Sequence, residues 1–124
     1  MMTSLMFRPG ETPQLVHLLD DGPYLDSAVS IGSDLRCTAR ALRVAKGVAT
    51  IYAEEGLTFG LVPNRKVGKR IIPGTFYIVG EADGNLRPLT LEEITKYATR
   101  YWDPETHTKE ETIDSWFDGL YLAL

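Results

Sequence analysis

The sequence predicts an α+β fold, mainly an antiparallel sheet with one central helix and two C-terminal helices packed on it. Three observations point there. Short apolar runs broken by Gly, Pro and Asp turns fill the first two-thirds of the chain. A helical spacing of apolar residues interrupts them between Asp34 and Lys46. Two capping boxes, Thr90-Leu91-Glu92-Glu93 and Thr108-Lys109-Glu110-Glu111, open the last third. The chain has 124 residues, 44% of them hydrophobic and 24% charged. That is enough for one domain, residues 1–124, which at this size buries about two-thirds of its unfolded surface.

Taken in order, Ser4 to Arg8 and Gln14 to Leu19 read as a hairpin around Arg8-Pro9-Gly10-Glu11. Asp20-Asp21-Gly22-Pro23 ends the second strand, because proline donates no hydrogen bond to a ladder. From Asp34 to Lys46 the spacing of Leu35, Ala39, Leu42 and Ala45 suggests a helix, with Ser33 or Asp34 as N-cap and Gly47 as the stop. Arg36, Arg40 and Arg43 then form one basic stripe beside its apolar face. Val48 to Glu54 reads as a strand that Gly56 turns, with Leu57, Phe59 and Leu61 alternating on the return. Another strand spans Thr75 to Val79, and Asp83-Gly84 turns it toward Leu86-Arg87-Pro88, an edge or strand end.

Asp103-Pro104 separates the two C-terminal helices. In the last one, Ile113, Trp116, Phe117, Leu120, Tyr121 and Leu124 recur at steps of three and four, an apolar stripe that must dock. The sheet of the same protein is the first expectation. The sharper alternative makes Trp116, Phe117, Leu120 and Tyr121 an interface anchor, since Trp and Tyr dominate binding hot spots.

One cysteine makes no internal disulfide, and the chain opens with no secretory leader. It reads as a cytosolic protein, with no segment that spans a membrane. The net charge of −4 divides unevenly: residues 36–70 carry +6 and the remainder −10. The basic members are Arg36, Arg40, Arg43, Lys46, Arg65, Lys66, Lys69 and Arg70, which raises the expectation of an anionic partner at the middle of the chain.

Several chemistries fail on residue type or spacing. Gly68-Lys69 is close to the end of a P-loop, but Pro63 and Arg70 stand where that motif needs Gly and Ser or Thr. No dinucleotide-binding glycine pattern opens a helix, so no cofactor is expected. Cys37 lacks a neighbouring base. His17 and His107 are too few for zinc, and Glu81, Asp83 and Asn85 lack a calcium loop, so no metal is expected. Glu54 and Glu55 are adjacent in a strand and face opposite ways, which suits a turn or an ion pair better than acid-base work. The remaining candidates for ligand binding are Asn64, Arg65, Lys66, Lys69 and Arg70 on a loop, joined by Arg36, Arg40 and Arg43. For Arg65, a bridge to Glu54 or Glu55 that fixes the loop is an equal reading.

Glu54-Glu55-Gly56, Gly60-Leu61, Pro63-Asn64-Arg65, Ile72-Pro73-Gly74-Thr75 and the Leu89-Thr90 helix start, over roughly residues 48–101, resemble a domain family of unknown function. Its members are small proteins common in phages, plasmids and other bacterial mobile elements. The family has an Asn before the two acids, where this chain has Ala53. The resemblance implies a mobile-element protein in a bacterial cytoplasm and no activity.

The expected function is therefore a non-enzymatic accessory protein that acts by binding, as an inhibitor or modulator of a host or defence component. The alternatives are a nucleic-acid or anionic-nucleotide binder using the basic 64–70 loop and, last, a small enzyme on an anionic substrate. Homo-oligomerisation remains compatible with the sequence.

Overall fold

A computed structural model describes residues 2–18, 39–53 and 62–123. Its strands are β1 (Met2–Phe7), β2 (Gln14–Leu18), β3 (Ala39–Ala45), β4 (Val48–Ala53), β5 (Pro63–Val67), β6 (Arg70–Pro73), β7 (Phe76–Ala82) and β8 (Asn85–Arg87). Two described helices follow, here α1 (Leu91–Arg100) and α2 (Lys109–Ala123). The main sheet runs β2-β1-β7-β4-β3, with β8 also paired to β7, and β5-β6 form a separate two-stranded sheet. Every pairing is antiparallel. The α+β class is as the sequence predicts.

The turns follow from their residues. Pro9 fixes its own φ and Gly10 takes φ +78, so Glu11 N–H reaches the Arg8 carbonyl at 3.1 Å and closes the first hairpin. Asp83 and Gly84 both adopt positive φ, 53° and 81°, the conformation a two-residue hairpin needs between β7 and β8. Both expected capping boxes form. Thr90 and Glu93 exchange reciprocal bonds of 2.9 and 3.2 Å, and Thr108 and Glu111 exchange two of 3.0 Å.

The helix expected from Asp34 to Lys46 is not formed where the chain is described: residues 39–45 are strand β3, and residues 34–38 lie outside the described part. Alanine and leucine at steps of three and four suit a helix, but half-buried Leu42 and Val44 alternate with exposed Arg43 and Ala45. The strand pairs with β4 continuously from Ala39 to Arg43, with a register shift before Ala45, and this tertiary pairing outweighs the modest helix preference of alanine. Gly47, at φ +77, is the turn between β3 and β4 and not a helix stop. The return strand expected at Leu57 to Leu61, with Gly56 and the Glu54-Glu55 pair, lies outside the described residues, as does Cys37.

One face of the main sheet holds Leu5, Phe7, Val48, Phe76 and Ile78, under Val67 and Ile72 of the small sheet and Tyr97 and Tyr101 of the α1 segment. Ile94, Tyr97, Ala98 and Tyr101 are spaced at three and four, which is why α1 lies on this face. Phe7 stacks on Phe76 at 4.8 Å between ring centroids and meets Tyr101 edge-on at 6.1 Å. A second buried cluster, Met6, Ala49, Ile51, Tyr77, Val79 and Leu86, occupies the opposite face.

Candidate functional site

The Pro63-Asn64-Arg65 segment is not a loop and does not present its side chains to solvent. Asn64 is 1% exposed and Arg65 0%. Consecutive strand residues ordinarily face opposite sides, but here Pro63 pairs with Pro73 and Lys66 with Ile71. Two residues of β5 thus stand against the single residue Ile72, a bulge that turns both Asn64 and Arg65 inward.

The buried pair is fully engaged. Asn64 donates from Nδ2 to the carbonyls of Phe7 and Gly74 at 3.0 and 2.9 Å, and its Oδ1 accepts from Arg65 Nη1 at 2.8 Å. Arg65 Nε donates to the Tyr101 carbonyl at 2.8 Å, Nη1 to Arg8 at 3.2 Å, and Nη2 to Trp102 at 3.3 Å and to Glu11. The guanidinium lies 5.3 Å from the centre of the Phe7 ring. Burial pushes its pKa below the ordinary arginine value, against the opposing pull of Glu105 and Asp103. A cation set on the last carbonyls of α1 is also favoured by the helix dipole. Arg65 thereby ties the β1-β2 turn to the end of α1, and among the described residues its hydrogen-bond partners are carbonyls and an amide, not carboxylates. The expected bridge to Glu54 or Glu55 falls on residues outside the described part.

The rest of the basic segment faces outward. Gly68 and Lys69 turn β5 into β6, with Gly68 at φ +65. Lys66 and Lys69 are exposed and Arg70 is half-buried. These three bases, with Arg43 of β3, line one open groove of about 750 Å3 between β3, the β5-β6 turn and α2. Its apolar lining is Leu42, Val44, Val67, Ile71 and Trp116, and Glu111 and Asp114 of α2 stand on it as well. Backbone and hydroxyl bonds from Thr108 hold the Glu111 carboxyl below its usual range, so it is an anion at neutral pH. The site is bipolar, basic on the hairpin and acidic on the helix.

Arg43 makes an exposed contact with Glu81 at 3.3 Å and remains 69% exposed. The expected arginine stripe does not exist in its helical form, because positions 40 and 43 lie in a strand, where only every second residue shares a face. Arg36 and the Arg40 side chain lie outside what is described. Arg43 borders the groove, but it pairs with Ala49 and bonds Glu81 on the sheet face opposite Val44 and Trp116, so its guanidinium turns away from Lys66, Lys69 and Arg70.

On α2, Trp116 turns inward. Its indole N–H donates to the Ile71 carbonyl at 2.8 Å, its ring lies 5.2 Å from that of Tyr52, and Arg70 covers it at 4.9 Å. Ser115 Oγ accepts the Ile71 N–H at 2.9 Å. Two α2 side chains thus satisfy the outer edge of β6 at Ile71, which makes Trp116 a docking residue of the fold, not a free interface anchor. Phe117 stays 43% exposed. The side chains of Leu120 and Tyr121 lie outside the description. Lys66 N–H on β5 is likewise taken by Glu105 Oε1 at 3.0 Å, an oxygen that also lies 2.7 Å from His107 Nε2. Ser115, Glu105 and Asp114 escaped the sequence reading because their roles depend on strands about 40 residues away.

Among the described residues no three His, Cys, Asp or Glu side chains gather to hold a metal, and no helix is long and apolar enough to cross a membrane. The groove offers charge and apolar surface, which suit binding. No curated protein and no solved structure matches this chain. A family model for a domain of unknown function matches residues 2–102, from β1 to the end of α1, and leaves α2 beyond the matched part.

Proposed function

The chain belongs to the DUF3846 domain family, and from that premise we propose that it is a non-enzymatic binding protein that takes an anionic region of a partner into the groove between β3, the β5-β6 turn and α2. The observation that carries this reading is the gathering of Lys66, Lys69 and Arg70 of the β5-β6 hairpin on one groove beside the apolar Leu42, Val44 and Trp116. The resemblance to proteins of mobile elements supports a partner in a bacterial host, as an accessory protein that modulates a host or defence component.

A protein partner suits the groove better than nucleic acid does. A phosphate backbone is anionic along its length, gains nothing from Leu42, Val44 and Ile71 and cannot avoid Glu111 and Asp114, whereas a protein surface can set acids against the hairpin bases and apolar or basic groups against the rest of the lining. The test is capture from host lysate on immobilised protein, with nuclease present, beside a Lys66→Ala/Lys69→Ala variant. The reading expects a partner retained by the wild type and lost from the variant. Retention that disappears with nuclease, or that the variant keeps, contradicts it.

A further inference from the structure

We propose that residues 103–117 are a strap that closes the β5-β6 hairpin from both edges, opens as one unit and, when closed, holds back the binding described above. The proposal rests on that binding reading and names how its site is regulated. Lys66 and Ile71 face each other across the hairpin, which among the described residues has no third strand on either edge. Both have main-chain groups taken by this one segment. Glu105 accepts the Lys66 N–H at 3.0 Å, Ser115 accepts the Ile71 N–H at 2.9 Å, and the Trp116 indole donates to the Ile71 carbonyl at 2.8 Å. Strand edges left without such partners invite pairing with another chain, and the strap meets both at a single register.

The strap is tied within itself. His107 Nε2 lies 2.7 Å from the same Glu105 oxygen that takes the Lys66 N–H, and its Nδ1 lies 3.7 Å from Glu111 in the first turn of α2. Glu111 in turn accepts the Thr108 N–H at 3.0 Å. The Glu105 end and the helix end are therefore one body. Its hold on the rest of the domain is thin by comparison, since from 103 to 117 only Thr112 is buried. Segments with little buried apolar surface and peripheral hydrogen bonds open at lower free energy than the core. The family match ends at Trp102, so the strap also stands outside the matched domain.

Closed, the strap opposes an anionic partner in three ways. It carries Glu111 and Asp114 to the groove that Lys66, Lys69 and Arg70 line. It holds the Arg70 guanidinium over Trp116, at 4.9 Å. It occupies the N–H groups of Lys66 and Ile71, two further donors for an anion. Opening removes two acids, releases one base and offers two N–H groups, while the three bases stay on the hairpin. A partner that gains from these changes binds the open state more tightly and draws the equilibrium toward it.

The first arm of the test uses the intact wild-type protein, with native-state amide exchange followed at rising urea below the unfolding transition. Lys66, Ile71 and residues 113–117 are expected to exchange through one shared opening, reached before that of β4 and β7. Exchange of these amides only together with β4 and β7, or of Lys66 and Ile71 through separate openings, overturns the proposal. In the second arm, Ser115→Ala/Trp116→Phe removes both bonds to Ile71 and keeps an aromatic ring at 116. Exchange should quicken at least tenfold at Ile71, at 113–117 and also at Lys66, whose own partner Glu105 is untouched. Quickening that leaves Lys66 unchanged overturns the single unit. The variant should also bind labelled decaglutamate at low salt at least threefold more tightly than wild type. Equal or weaker binding overturns the holding back and leaves the binding reading standing, and no binding by either protein removes both.

Discussion

Arg65, on a strand in the middle of the chain, donates its Nε hydrogen to the carbonyl of Tyr101, the C-cap residue of α1, at 2.8 Å. The bond joins segments 36 residues apart, and four further bonds from the same guanidinium reach Asn64 and the carbonyls of Arg8, Glu11 and Trp102. The five bonds offset part of the desolvation cost of this buried cation, while the carbonyls around it would be orphaned without it. The segment that looks in sequence like one basic patch is therefore two things: an internal clamp at Asn64-Arg65 and an outward face at Lys66, Lys69 and Arg70.

Asn64→Asp should destabilise the protein by about 1–3 kcal/mol. The amide donates to two carbonyls, Phe7 and Gly74, and a carboxylate in its place sets oxygen against oxygen. Urea unfolding followed by tryptophan fluorescence reads the loss, and a midpoint equal to wild type would show that these two bonds contribute nothing.

Gly80→Ala should cost about 1–3 kcal/mol through overpacking. A Cβ there would lie 2.8 Å from the Arg87 backbone carbonyl and 2.7 Å from its Nη1. The side-chain atom can move, but the carbonyl belongs to strand β8 and cannot. The variant's thermal midpoint checks this.

Stability should fall in acid through Glu93. Its carboxyl takes both Arg87 bonds, at 2.7 and 2.8 Å, and accepts the Thr90 N–H, and these hold its pKa at about 2. A carboxylate with a depressed folded pKa stabilises the fold above its unfolded value near 4.5, and that contribution fades as pH falls toward 2. The expected contribution at neutral pH is about 2 kcal/mol. Glu93→Gln should lower neutral stability and flatten the acid limb between pH 4.5 and 2. An unchanged acid limb would place the acid sensitivity in other groups.

How much of this was legible in the sequence depended on how far apart the partners lie. Capping boxes and hairpin turns were readable because their partners sit within three residues. The segment from Ala39 to Ala45 was misread because alanine and leucine satisfy either period, and only the register with Thr50 and Ile51 decides between them. Burial of Asn64 and Arg65 was not readable, since a bulge breaks the rule that neighbours in a strand face apart. That the last helix docks was readable from its apolar stripe, but where Trp116 docks was not, because its acceptor, Ile71, is 45 residues away. Of the residues behind the charge asymmetry, Lys66, Lys69 and Arg70 line the groove, while Arg43 turns to Glu81 and forms no arginine stripe with them.

Lys66→Ala/Lys69→Ala should leave stability within about 0.5 kcal/mol, as substitutions at exposed positions do. Partner binding should weaken tenfold or more, and its decline with added salt should become shallower, because two rim cations are gone. Binding measured at two salt concentrations for both proteins checks it. Equal salt slopes would mean that these lysines do not meet the partner's charge.

The division of the Pro63 to Arg70 segment into clamp and face is tested most directly by urea unfolding of Arg65→Lys beside Lys69→Ala. Lysine keeps the charge but replaces a planar fork with one ammonium, which cannot reach carbonyls on Arg8, Glu11, Tyr101 and Trp102 together. A loss of about 2 kcal/mol or more for Arg65→Lys, with Lys69→Ala within about 0.5 kcal/mol of wild type, is the predicted result. A wild-type midpoint for Arg65→Lys would contradict the clamp and return Arg65 to the outward basic surface.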